Sequence, residues 1–220
     1  MIRPKLTAAW LVLGLAVSAT AGAADEKHEG SSAKGEWVSL FDGKTLSGWT
    51  ALEIQGKGTS HWDVKDGILV GTGKASMLFS PEGRYKNFKF RAEVKINDKG
   101  NSGMYVRAPK EATFSKGYEI QINSTHADRI KTGSVYTYVH VYKQLVKPDT
   151  WFTQEVEVVD KNWRGKVVPH IKVTVDGDLL YEYIDHTNFS HSGHFAFQQH
   201  DPGSVVQIRK VEVQERPDET

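Results

Sequence analysis

The 220-residue chain contains no cysteine, and its 28 Lys+Arg are nearly balanced by 27 Asp+Glu. Without cysteine there can be no disulfide staple, no thiolate zinc site, no cysteine nucleophile, no CxxC redox pair and no lipid-modified cysteine. A formal charge of +1 offers no clustered cationic face to release counterions from phosphates, so nucleic acid is not an expected partner. Long apolar runs are equally scarce. The one extended stretch, Ala8 to Val17, would span only about half of a ~30 Å hydrocarbon core as a helix. No GxSxG, HExxH, GxxxxGK[ST] or strand-following GxGxxG is present, which removes the common serine-hydrolase, zinc-protease and nucleotide-binding signatures.

What is present begins with an address. Arg3 and Lys5 precede the apolar stretch, and the small residues Thr20 to Ala24 follow it before Asp25. This is the pattern of a secretory signal peptide over residues 1–24, cut after Ala23 or Ala24, followed by a polar leader over 25–35. The expected product is a periplasmic or secreted protein with no membrane span after cleavage. From residue 36 to 216 the dominant period is two. Phe88, Phe90, Ala92, Val94 and Ile96 alternate with Lys89, Arg91, Glu93 and Lys95, as in a strand with one wet face. Asp66-Gly67 and Asp176-Gly177 sit between short apolar runs and predict tight hairpins. Further strands are expected at 102–107, 118–122, 134–142, 152–159, 195–199 and 205–213, and no segment after the leader carries a helical stripe. About ten strands without repeat or linker predict an all-β fold, a single antiparallel β-sandwich.

Strand alternation then sorts the polar residues by face. Met104 and Val106 pack, so Tyr105 and Arg107 share the opposite side. Ile120 and Ile122 pack, leaving Glu119 and Gln121. In 134–142 the valines pack, and Tyr136, Tyr138, His140 and Tyr142 align opposite. Phe195 and Phe197 pack, leaving His194, Gln198 and His200. Unrelated segments therefore direct groups of the kind that bind sugars to their non-core side. A carbohydrate is the expected partner. Each residue also has a plain alternative, as an exposed strand carboxylate, a weak surface ion pair or a half-buried aromatic row. His186, His191, His194 and His200 fall close together, yet their spacing matches no metal motif. A divalent metal is left open, and the cofactor is unknown.

The order of motifs resembles the 3-keto-disaccharide hydrolase domain family. The segments that carry the resemblance are Phe41 to Trp49, Trp62 to Gly67, Gly100 to Arg107, Gly117 to Ile122, Thr132 to Tyr136, Lys147 to Trp151 and Gly193 to His200, in the family's order. The resemblance implies a concanavalin A-like jelly roll, bacterial export and cleavage of 3-keto-glycosides. This sequence departs from the pattern at Phe195, Phe197, Thr153 and Arg209 to Val211, and Asp201-Pro202-Gly203 follows His200 in place of a direct Gly. Glu119-Ile120-Gln121 holds one carboxylate where sandwich-fold retaining glycosidases carry E-x-D-x-E, so a two-carboxylate mechanism is not supported. A ketone at C3 acidifies C2–H, so one base, one acid and a group to hold the enolate suffice. Glu119 and His200 are the expected acid and base in either order. Arg107 or a metal would hold the enolate oxygen, and Tyr105, Gln121, Tyr136, Tyr138, His140 and Gln198 would contact the sugar. The competing reading is a non-catalytic carbohydrate-binding module, and a third is an exported scaffold.

Overall fold

Tight turns of one hand organise the strands. Asp66-Gly67 has φ values of 52° and 76°, and Asp176-Gly177 has 50° and 87°. Positive φ at both central residues is the geometry whose twist matches that of paired antiparallel strands. A third turn of the same kind, Arg164-Gly165 with 51° and 84°, is one that the sequence pattern does not announce, because arginine is not a usual turn residue.

The computed structural model describes residues 35–218, so the expected signal peptide and all but the last residue of the leader lie outside the described residues. The larger sheet contains β1 (Val38–Ser39), β3 (Ser60–Lys65), β4 (Ile68–Gly73), β6 (Phe88–Ile96), β9 (Phe152–Trp163), β10 (Lys166–Val175), β11 (Asp178–Ile184) and β13 (Val206–Glu215). The smaller contains β2 (Thr50–Glu53), β5 (Ser76–Phe79), β7 (Asn101–Ala108), β8 (Tyr118–Asn123) and β12 (His194–Gln199). Their orders are β11-β10-β9-β6-β13-β4-β3, with β1 also on β13, and β2-β5-β12-β7-β8. Every pairing is antiparallel and the described residues include no helix, so the fold is the all-β jelly-roll sandwich that the alternation predicts.

The core lies between the sheets and is centred on aromatic rings. Phe195 of β12 stacks on Phe90 of β6 at 3.9 Å between centroids, on Tyr85 at 4.3 Å, and meets Phe88 edge-on at 4.8 Å. One side chain of the smaller sheet is thus seated among two rings of the opposing β6 and the ring of Tyr85, which bridges to Gly193 just before β12. On the wet face of β6 the charges expected from alternation pair across strands, Arg91 with Glu212 at 2.8 Å and Glu93 with Arg209 at 2.6 Å.

Two expectations about local regularity fail. Residues 134–142 do not form a strand. Thr132 to Tyr136 run beside β8 through backbone bonds such as Gln121 N to Ser134 O and Tyr136 N to Glu119 O, both 2.9 Å, and then the chain turns. Tyr138 N and Val139 N both donate to Val135 O, which ends the alternation. In β7 the register against β12 shifts between His194 and Ala196, and Arg107 takes a φ of 50°. This is a bulge, and it re-aims the side chain that follows it.

Removing the Phe195 ring should leave a cavity that the three facing aromatics cannot collapse to fill. Phe195→Ala is expected to lower stability by about 3–5 kcal/mol. Urea unfolding checks this through a lower midpoint with an unchanged slope.

Candidate functional site

On β7 and β8 the residues Tyr105 and Glu119 are direct cross-strand partners, and so are Gly103 and Gln121. All four face away from the main core. A cleft of about 410 Å³ opens here, within the range of roughly 300–1,000 Å³ typical of small-molecule sites. Glu119, Gln121, Gln198 and Asn101 line it from the smaller sheet, His200 from just beyond β12, and Phe114 and Tyr136 from flanking loops. Gly103 makes room for the carboxylate: a Cβ there would stand 2.5 Å from Glu119 Oε1 and 2.9 Å from the Tyr105 ring.

The fully buried Tyr105 supports the cleft from beneath. Its hydroxyl donates to Phe114 O at 3.1 Å, pinning the loop that carries Phe114, and accepts from Gln198 Nε2 at 3.1 Å. With its nitrogen turned toward acceptors, the Gln121 amide donates to Glu119 Oε1 and to Ser102 O, both at 3.1 Å. Burial, above all, pushes the Glu119 carboxyl up to about 8, and the nearby Asp128 charge adds to this while the polar groups of Tyr105 and Gln198 beside it pull the other way. Burial and then the Glu119 charge push the Tyr105 phenol well above its usual range. Tyr136 donates to Asp128 Oδ2 at 3.0 Å, which fixes its ring at the cleft wall.

His200 stacks on Phe114 with centroids 5.8 Å apart and planes 13° apart, and its Nδ1 lies 2.8 Å from Asp201 Oδ2. Burial alone would raise the Asp201 carboxyl, but hydrogen bonds from His200, the Gly203 amide and Ser204 outweigh it and hold the group below its usual range.

Three expected site residues are elsewhere. Arg107, beyond the bulge, is fully buried away from the cleft. Its guanidinium donates to Asp160 Oδ1 at 2.8 Å, to Lys86 O and to Ser190 O, so it joins the two sheets and is not free to hold an enolate. Tyr138 packs among Tyr118, Tyr183 and Phe189 because the turn at Val135 swings it toward the core edge. His140 is exposed and contacts Tyr142, outside the cleft, for the same reason. Glu119, Gln121, Gln198, His200 and Tyr136 do gather, with Tyr105 beneath them. Asn101, Phe114 and Asp201 were not among the expected site residues. Asn101 begins a strand in phase with Tyr105, which is a legible signal, whereas Phe114 and Asp201 lie in loops without period.

The family described as the 3-keto-alpha-glucoside-1,2-lyase-like domain matches residues 36–214. The chain belongs to that family. A curated relative from Bacteroides thetaiotaomicron, named 3-keto-disaccharide hydrolase, is 24% identical over 60% of this chain and 54% of its own length, so the chain spans about half of that relative. Two Parabacteroides distasonis structures described as candidate glycosyl hydrolases share the fold. Their TM-scores are 0.65 and 0.63, with 23% and 18% identity, each over 82% of this chain and over 94% and 99% of theirs. A carbohydrate-binding module of Bacillus subtilis, CBM66, has the same fold at TM-score 0.56 and 16% identity, over 76% of this chain and 96% of that one. The family assignment is thus carbohydrate-related and glycoside hydrolase-like.

Among the described residues, the grouping with the makings of a metal site is His126, His200 and Asp201, whose ligand atoms lie within 4.8 Å of one another. The donor set does not fit an ion as arranged. His126 Nδ1 accepts the Asp128 amide at 3.1 Å, so in the neutral ring Nε2 carries the hydrogen and neither nitrogen offers a free lone pair. His186 and His194 do not join this group: one neighbours Trp163 and the other bonds Ser80 O.

The raised Glu119 carboxyl has a measurable consequence for this family member. The folded chain holds the group neutral up to about 8, while the unfolded chain ionises it near the ordinary 4.5, so ionisation increasingly favours unfolding between those values. Glu119→Gln should match the native melting temperature near pH 4 and exceed it progressively up to pH 8, with a constant gap above. At about 2–4 °C per kcal/mol the gap is readable by calorimetry across a pH series.

Proposed function

We propose that the chain cleaves 3-keto-glycosides by elimination across C1–C2. The observation that carries this reading is a carboxyl held neutral to about pH 8 in a cleft that also presents an imidazole bonded through Nδ1 to a carboxylate. The neutral Glu119 is a proton donor at working pH, and His200 Nε2 is a free acceptor. His200 Nε2 takes the proton from C2, and the C2–H electrons delocalise onto the C3 oxygen as an enolate. As the ketone re-forms, C1=C2 forms and the C1–O bond breaks, and the leaving oxygen receives the Glu119 proton. Glu119, now a carboxylate, takes a proton from water as the hydroxyl adds to C1, and the His200 imidazolium, its Nε2 proton exchanged with solvent, returns a proton to C2, giving the 3-keto sugar and restoring both groups. The side-chain amide of Asn101, at the cleft, supplies a neutral donor for the enolate oxygen in place of Arg107.

A sugar-binding module of the same shape would use the aromatic wall of Phe114 and Tyr136 as well. Binding alone gives no reason to bury a carboxyl that resists ionisation beside a histidine–aspartate pair. The basic-then-apolar segment before Asp25 supports a protein exported to the periplasm or beyond.

The test is release of the alcohol from a chromogenic 3-keto-α-glucoside. The native chain should turn it over, and Glu119→Gln and His200→Ala should each lower kcat by at least about 100-fold, the usual scale of general acid–base assistance. No release by the native chain, with sugar binding intact in both variants by calorimetry, would establish the binding module.

A further inference from the structure

We propose that Asp201 is the positioning partner of His200, fixing its ring as the Nδ1–H tautomer so that Nε2 is the nitrogen offered to the cleft. This inference rests on the elimination reading of the same site and gives the carboxylate beside His200 a role that the reaction steps do not assign.

Neighbouring residues of a regular strand point to opposite faces, so His200 and Asp201 would not meet if β12 continued. It ends at Gln199, and the Asp201-Pro202-Gly203 turn folds the carboxylate back beside the imidazole. Asp201 is held from several sides. Oδ1 accepts from Gly203 N at 2.9 Å, Oδ2 accepts from Ser204 Oγ at 3.1 Å, and the Asp201 carbonyl accepts from Gln199 Nε2 at 2.7 Å. Ser204 Oγ also accepts from Asn101 N on β7 at 2.9 Å, which ties the turn to the strand next to Glu119.

An ionised carboxylate accepts and does not donate, so the 2.8 Å contact requires the hydrogen on His200 Nδ1. The Phe114 stack sets the ring plane and His126 meets the ring at 66°, so the remaining freedom, a flip of the imidazole, is removed by Asp201. A carboxylate that orients a catalytic imidazole and selects its tautomer is a recurring device, and its replacement by an amide leaves the geometry while spoiling the tautomer.

The experiment uses the full chain with 15N-labelled histidine, His200 being assigned by its loss in His200→Ala. Two-bond proton–nitrogen correlation should show His200 with protonated Nδ1 and bare Nε2. In Asp201→Asn, which keeps an acceptor for Gly203 N, the bare-Nε2 form should lose its dominance. On a 3-keto-α-glucoside the same variant should lose at least about tenfold in kcat with KM within about threefold, and Asp201→Glu should recover part of the loss. A native His200 protonated on Nε2 would overturn the proposal, as would an unchanged kcat in Asp201→Asn. A kcat loss with the tautomer unchanged would also overturn it, by reducing Asp201 to a turn former. If the native chain turns over no 3-keto-glucoside, the reaction assignment has failed, and the native and Asp201→Asn tautomers alone decide the pairing.

Discussion

A fully buried guanidinium holds the sandwich together at one end, and the geometry of the cleft depends on it. Arg107 reaches from the bulge in β7 across to Asp160 on β9, and on the way ties down the carbonyls of Lys86 and Ser190. Asn87 completes the lock by accepting the Asp160 amide at 2.8 Å. Removing one member of such a pair strands a charge in the interior at a cost of about 3–5 kcal/mol. The lock anchors β7 just after Tyr105, so the pairing of Tyr105 with Glu119 inherits its fixed position from a residue that never touches the cleft.

The chemistry grows from that fixed pairing. Gly103 leaves the space the Glu119 carboxyl fills, the polar groups of Tyr105 and Gln198 stand beside it, and burial wins over them in setting its proton affinity. Across the cleft, Asp201 has the opposite balance: its hydrogen bonds win over burial and keep it ionised. Two carboxyl groups in one small region are therefore driven apart, one toward carrying a proton and one toward accepting hydrogen bonds. Environments that separate titratable groups in this way mark acid–base sites.

Period-two alternation was sufficient to read the sandwich, the two Asp-Gly hairpins and the cleft-facing set on β8, because β8 is regular from Tyr118 to Asn123. It failed wherever the backbone left that period. The bulge at Arg107 moved a polar side chain from the wet face to the interior. The turn at Val135 separated Tyr136, which stays at the cleft, from Tyr138 and His140, which do not. Phe114 and Asp201 were invisible to periodicity because each lies in a loop placed by specific hydrogen bonds and not by strand pairing, Phe114 through Tyr105 and Asp201 through Ser204, which is tied in turn to the distant Asn101. The departure at Asp201-Pro202-Gly203 was visible as a turn, but only the fold reveals that the turn brings a carboxylate to His200.

The central claim is that this cleft removes the proton beside the ketone of a 3-keto sugar. Cleavage of a 3-keto-α-glucoside in deuterium oxide, followed by mass and proton resonance analysis of the released sugar, tests it directly. Elimination and re-addition of water predict one deuterium at C2 of the product, accumulating in step with turnover and faster than exchange without protein. Cleavage that leaves hydrogen at C2, or sugar binding without any cleavage, would contradict the account.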